Sequence, residues 1–268
     1  MKVALCFLIS YEHRLNKEEI WREWIEPNKD IIEVYVHYKE KEKISSEWLR
    51  SKAIPQDKTV PTDYLHVVPA YYTFIKYGLE QEDIQWFCFL TEACVPIISP
   101  LRFRELFFEK YATSLMGWKK AWWNVWYFKN RRANLHLLDP QMHLGNTPWF
   151  ILSRSDATAC IEFSRKYKTT FQTICNGEIA NESVFAVALF STYKLQNVLN
   201  VETMATDWSR MMTPNSPYLF TVGDAKDRDF IDTFIKTHPY TMFLRKVAPT
   251  FPDAILREYS KEKKSESL

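Results

Sequence analysis

The residues best suited to chemistry in this 268-residue chain lie mostly in its second half. Glu182 follows Asn181, a good helix cap, and the pattern predicts a helix opening at that point. A carboxylate in a first helical turn is held as the anion by the helix dipole. An ionised carboxylate can take the proton from an attacking hydroxyl. The same position is also an ordinary one for a glutamate, and Glu178, four residues earlier, competes with it for the role. Arg245 and Lys246 are adjacent cations behind Phe243. Fixed cations can stabilise the charge that develops on a departing phosphate, as a metal ion would. In a regular strand the two side chains would face opposite sides, so acting together requires a bulge or turn; the alternative is a solvated basic pair. Arg210 is a third cation for the same task.

A dense aromatic stretch supplies a second kind of chemistry: Trp118-Lys-Lys-Ala-Trp122-Trp123-Asn-Val-Trp126-Tyr127-Phe128. Four tryptophans, two of them adjacent, cannot all point one way, so some are expected at the surface. There they can stack on flat ligand faces; a packed core is the other use. Lys129, Arg131 and Arg132 follow, facing either an acidic ligand or solvent. Asp227-Arg-Asp229 spells an Asp-x-Asp metal motif, but it falls at the start of a predicted helix, where aspartate serves caps and the dipole. Glu92 does follow a central strand. One acid without a partner is a poor divalent site, so it suits a ligand contact better. The five cysteines (Cys6, Cys88, Cys94, Cys160 and Cys175) are odd in number and show no C-x-x-C spacing. They read as buried thiols of a reducing compartment, with no zinc cluster among them.

The elements that must position these residues alternate. Strands are expected at 3–9, 31–37 and 86–90. Helices are expected at 16–25, capped by Asn16 with Trp21 and Trp24 on one face, from Pro69 to Gly78, and at 101–111. This βαβαβ rhythm argues for an α/β fold with a parallel sheet covered by helices. In such sheets ligands bind beyond the carboxyl ends of the strands, which makes residues 9–11, 37–39 and 91–96 the candidate positions. No G-x-G-x-x-G or P-loop occurs, and five glycines leave little material for a Gly-rich phosphate cradle. Residues 114–149 are irregular. Beyond them the pattern predicts a strand at 149–153, helices at 156–166 and 182–190, strands at 203–206 and 240–244, and a helix at 226–236 between those two strands. One domain over residues 1–255 and a polar tail over 256–268 is the simplest organisation. With 46% apolar and 25% charged residues a packed core is expected. A net charge of +2 argues against nucleic acid as the main partner. The apolar run at 3–9 is far short of the roughly 20 residues of a membrane span and has no signal-peptide cleavage site. A cytoplasmic protein without a transmembrane segment is expected.

Several segments, taken in order, resemble the core-2/I-branching β-1,6-N-acetylglucosaminyltransferase family, whose relatives include peptide O-xylosyltransferases and a large plant branch. Residues 2–10 resemble its opening strand and Val34-Tyr-Val-His37 its second. Trp86-Phe-Cys-Phe-Leu-Thr-Glu-Ala-Cys-Val-Pro-Ile97 resembles its apolar strand followed by Ser-Glu-Ser-Cys-Ile-Pro-Leu. Trp149-Phe-Ile-Leu-Ser-Arg154, Asn181-Glu-Ser-Val-Phe185, Asp207-Trp-Ser-Arg210 and Phe243-Leu-Arg-Lys246 resemble later motifs. The resemblance implies a single GT-A-like domain with a Rossmann-like nucleotide-binding sheet in its first half. It implies an inverting, metal-independent glycosyltransferase moving GlcNAc or xylose from a UDP-sugar to a hydroxyl of a glycan acceptor, with no cofactor. Glu182 would be the base. Arg245, Lys246 and Arg210, with Ser10, His37 and Glu92, would hold the donor. Trp122, Trp123, Trp126 and Arg131 would meet the acceptor. The anchor, stem and disulfides of Golgi members are not seen, which fits a bacterial or viral type. The alternative is a non-catalytic carbohydrate-binding protein on the same fold, which would keep the tryptophans without needing Glu182 or the cation pair.

Overall fold

A computed structural model describes residues 1–128, 132–213 and 216–261. The architecture is mixed α/β. Strand β1 (Lys2–Leu8) lies between β2 (Ile32–His37) and β3 (Ile84–Thr91), parallel to both. Successive side chains of a strand point to opposite faces, and here both faces are covered. Val3, Leu5 and Phe7 of β1 join Trp86, Cys88 and Leu90 of β3 in one apolar cluster. Ala4 and Cys6 join Phe87 and Phe89 in another. Burial on both faces is why these strands read as unbroken apolar runs.

The first cluster is closed by α1 (Glu18–Ile25), through Trp21 and Trp24, and by α4 (Pro100–Lys110), through Phe103 and Phe107. A short α2 (Glu47–Ser51) adds Leu49. The other cluster is closed by α3 (Val68–Leu79), which has Pro69 in its first turn, and by α5 (Arg154–Lys166), α6 (Lys168–Cys175) and α7 (Val184–Ser191). A second sheet has the order β4-β9-β8, with β4 (Val95–Pro96), β8 (Met204–Thr206) and β9 (Phe243–Arg245). It packs with α8 (Ala225–Thr237) and α9 (Asp253–Ser260). Because β4 leaves β3 after a three-residue break and pairs with β9, the end of β3 is brought against the end of β9.

Several expectations are corrected. β7 (Ile151–Ser153) joins β3 antiparallel, so only β2, β1 and β3 of the first sheet are parallel. The irregular middle contains an antiparallel pair, β5 (Trp118–Lys120) and β6 (Leu144–Asn146). Lys17, not Asn16, stands at the N-cap of α1; the Asn16 amide instead donates to Val247 O at 2.9 Å, tying the loop after β1 to the chain after β9. Helix α9 crosses residue 255 and buries Ile255 and Leu256, apolar positions that a polar neighbourhood hides in the sequence. Residues 262–268 of the expected tail lie outside the described residues. All five cysteines are free thiols, four of them buried. Among the described residues no helix is long and apolar enough to cross a membrane.

Phe185, in the first turn of α7, fastens the segment after Glu182 to the sheet. Its ring lies 4.8 Å from Phe150, 5.5 Å from Tyr71 and 6.0 Å from Phe89, between centroids. Phe185→Ala removes that wedge from a fully buried position and should cost about 3–5 kcal/mol, read from denaturant unfolding. A loss below about 1 kcal/mol would mean that the cluster refills the space and that the packing described here is not what holds α7.

Candidate functional site

Arg245 ends β9, and Lys246 follows it through a cis peptide bond. Pairing of β9 with β4 carries the Arg245 guanidinium over to β3, where Nη1 donates to Thr91 Oγ1. The guanidinium also lies over the Trp149 ring, 4.3 Å from its centroid. Lys246 Nζ donates to Ser216 Oγ at 3.0 Å. Burial pushes the Lys246 pKa below the usual lysine range, and neighbouring Arg245 pushes the same way, while Glu92 opposes them. A half-buried ammonium beside another cation is short of negative charge, which an anion would supply. Arg245 thus reaches the carboxyl end of β3, where Glu92 follows Thr91.

Glu182 does not open a helix. It closes a 3-10 turn of residues Ala180–Glu182, and α7 starts two residues later behind Ser183. Asn181 does not cap; its carbonyl accepts from the Asn146 amide at 2.9 Å, joining the turn to β6. The dipole argument for the anion therefore fails. Burial raises the Glu182 pKa above its usual value, and Arg132 draws it back. Arg132 Nη1 donates to Glu182 Oε2 at 2.6 Å, and the glutamate side chain is 21% exposed. Glu178, the competitor, is also partly exposed, and its carbonyl accepts from Ala133 N at 2.8 Å.

Tyr71 of α3 packs on Phe89 of β3 and on Phe185, just past Glu182. It is buried, and its hydroxyl donates to Pro148 O at 2.9 Å. Burial raises its pKa; Arg245 opposes the rise and Glu182 adds to it. One hydroxyl thus lies within electrostatic reach of the cation pair and of the carboxylate. Thr91 lies in the strand-end stretch that the sequence offers, whereas Tyr71 does not stand out there, because a tyrosine in an apolar helix looks like core.

The aromatic stretch lies on the Glu182 side. Trp122 is 47% exposed, Trp126 is 61% exposed, and Tyr127 is exposed as well. Trp123 is half-buried and meets Trp122 edge-on, with ring centroids 4.9 Å apart. Gly145 of β6 permits this pair: a Cβ there would come within 2.6 Å of the Trp122 ring and 3.1 Å of Trp123. The Arg132 guanidinium lies 4.9 Å from the Trp123 centroid, so a continuous line of contacts runs from Glu182 through Arg132 to the exposed indoles. Arg131 and Lys129 lie outside the described residues.

The remaining candidates are more structural. His37 is 1% exposed; burial lowers its pKa to about 4, so the ring is neutral, and its Nε2 accepts from Val60 N at 3.4 Å. Ser10 Oγ accepts from Glu12 N at 3.4 Å in the loop beyond β1. Arg210 donates through Nε to Asp207 at 2.6 Å and through Nη1 to Asp227 at 2.8 Å, and it packs on the Tyr218 ring. Two buried carboxylates balance its charge within the protein. Asp227 accepts in addition from Gly223 N at 3.1 Å, so the Asp-x-Asp motif spends its first acid on α8 and Arg210. Among the described residues no group of three or more His, Cys, Asp or Glu is placed to hold a metal ion.

Sheets flanked by helices thus present a cation pair at the end of β3 and, in the turn before α7, a carboxylate paired with Arg132. The comparisons with known proteins name the class. A family model described as core-2/I-branching enzyme matches residues 5–233, and the chain belongs to that family. Membership implies a glycosyltransferase, with a sugar donor and an acceptor. The comparison with curated proteins finds no match. Among solved structures, A197 from STIV is similar at 14% identity over 59% of this chain and 68% of its own, with a TM-score of 0.28. At that score it carries no argument about fold or function.

The Arg210 network generates a stability prediction. Asp227→Asn keeps the side chain's shape and removes a buried negative charge from beside a guanidinium. Because Asp207 still pairs with Arg210, losing this charged hydrogen bond should cost about 1.5–3 kcal/mol, read from unfolding with and without added manganese. A change that manganese modulates, with stability otherwise intact, would return the Asp227/Asp229 motif to metal binding.

Proposed function

We propose that the chain is an inverting, metal-independent glycosyltransferase that moves GlcNAc or xylose from a UDP-sugar to a hydroxyl of a glycan acceptor. In this reading the domain is GT-A-like, and the parallel strands β2, β1 and β3 form its Rossmann-like nucleotide-binding half. The donor lies beyond their carboxyl ends near Ser10, His37 and Glu92, with its diphosphate against Arg245 and Lys246. The acceptor stacks on Trp122, Trp123 and Trp126. Glu182 takes the proton of the acceptor hydroxyl as its oxygen bonds to the anomeric carbon. The bond from that carbon to the diphosphate breaks on the opposite face, and UDP leaves with the electron pair. Arg245 and Lys246 stabilise the charge that appears, the work a metal ion does in other transferases. No cofactor takes part. Buried free thiols suit a reducing compartment, and we place the reaction in a cytoplasm.

The observation that carries this reading is geometric: Arg245 is held to Thr91 at the carboxyl end of β3, and the segment after Glu182 is fastened to the same strand through Phe185, which packs on Tyr71 and Phe89. A base and a leaving-group clamp must flank one reacting carbon, and both groups are anchored to β3. Family membership supports the reaction class.

The base assignment has a direct test. Glu182→Gln keeps the shape and removes the base, and turnover should fall by about 10²–10⁴ while UDP-sugar affinity stays near normal. Glu178→Gln should do much less. A base works only when ionised, so activity is lost as pH falls through its pKa. Burial raises that pKa, so the acid limb of kcat/KM in the unsubstituted protein should lie above the ordinary glutamate value of about 4.3. Full activity in a folded Glu182→Gln protein would remove Glu182 from the mechanism.

A further inference from the structure

Arg132 touches both the carboxylate and the aromatic surface. Its Nη1 donates to Glu182 Oε2 at 2.6 Å, and among the described residues no other side chain donates to that carboxylate. Its guanidinium face lies on Trp123, which in turn meets Trp122. The backbone around the pair is laced together. Ala133 N donates to Glu178 O at 2.8 Å, and the Asn134 amide donates to Thr173 O at 3.0 Å. Gly177 lies so close that a Cβ would come within 2.7 Å of Asn134 N. Ala133 at φ 54°, Asn134 at φ 51° and Ile179 at φ 54° all adopt left-handed backbone. That region is unfavourable for alanine and more so for a β-branched residue. Backbone held this way on both sides of a contact marks a geometry fixed by its surroundings.

We infer that Arg132 is a positioning residue of the transfer reaction, holding the Glu182 carboxylate by one oxygen and leaving the other to receive the acceptor's proton beside the Trp122–Trp123 surface. The inference rests on the reading of Glu182 as the base. Arginine suits the task because one planar group can donate to a carboxylate along its edge and stack on an indole with its face. Electrostatics point the same way. Burial favours the protonated acid and Arg132 favours the anion. Among the described residues, Tyr71 from α3 is the other titratable group that interacts with Glu182. Without Arg132, burial would act unopposed by a direct partner, and the base would be protonated over more of the working pH range.

The test uses the full chain with UDP-sugar and acceptor, and reads pH profiles as well as rates. Arg132→Gln should move the acid limb of kcat/KM to higher pH and lower kcat at pH 7 by about tenfold or more, with recovery at higher pH and with UDP affinity unchanged. Arg132→Lys restores the charge on a flexible stem, so the limb should return while kcat stays reduced. A purely structural arginine predicts a lower melting temperature with the limb in place. An unmoved limb in folded Arg132→Gln overturns the inference. If that protein does not fold, Arg132→Lys decides, and an unaltered kcat overturns it. Glu182→Gln separates the two ideas. If it is inactive while the Arg132 variants behave like the unsubstituted protein, only the positioning role falls. If it is fully active, the base reading falls and takes this inference with it.

Discussion

A parallel strand buried on both faces has no side on which to place a polar group, and this constraint arranges the rest of the molecule. β1 and β3 send alternate residues into two apolar clusters, so their polar neighbours are pushed beyond their ends. Thr91, Glu92 and Ser10 all lie at or past a carboxyl end. β4 then leaves β3 and pairs with β9, which adds Arg245 and Lys246 at the same edge. The position of the cations is thus a consequence of sheet pairing rather than of any local motif.

The carboxylate arrives from a different direction. Glu182 sits in a 3-10 turn held to β6 by Asn146 and to the sheet by the Phe185 cluster. Two opposing effects act on it. Withdrawal from water favours the neutral acid, and the Arg132 guanidinium favours the anion. A base in a partly dry site needs such a balance: enough burial to strengthen it as a proton acceptor, and enough compensation to keep it ionised.

The strands of the first half were legible because burial on both faces leaves a run that little else produces. Residues 3–9, 31–37 and 86–90 all became strands close to those limits. Pro69, at the head of α3, was legible for a steric reason, since a missing N–H costs nothing in a first turn. Glu182 draws attention in the sequence for a local reason that the structure does not keep. Asn-Glu-Ser ahead of an apolar run looks the same whether the helix begins at Glu182 or two residues later, and only the 3-10 turn separates the cases. The role of Asn16 was misread for a similar cause: its partner, Val247 O, lies 231 residues away. Arg132 was visible only as one of three basic residues after the tryptophans. Its pairing with Glu182 spans 50 residues and depends on left-handed backbone at Ala133 and Ile179, which neither residue type announces.

The central claim is that the Arg245/Lys246 cations and the Glu182 carboxylate perform glycosyl transfer from a UDP-sugar. UDP release measured over a panel of UDP-sugars, with glycan acceptors present and a metal chelator in excess, tests it most directly. The predicted result is acceptor-dependent release of UDP from one sugar nucleotide, undiminished by the chelator. Glycan binding with no UDP release from any member of the panel would contradict it, as would release that the chelator abolishes and manganese restores.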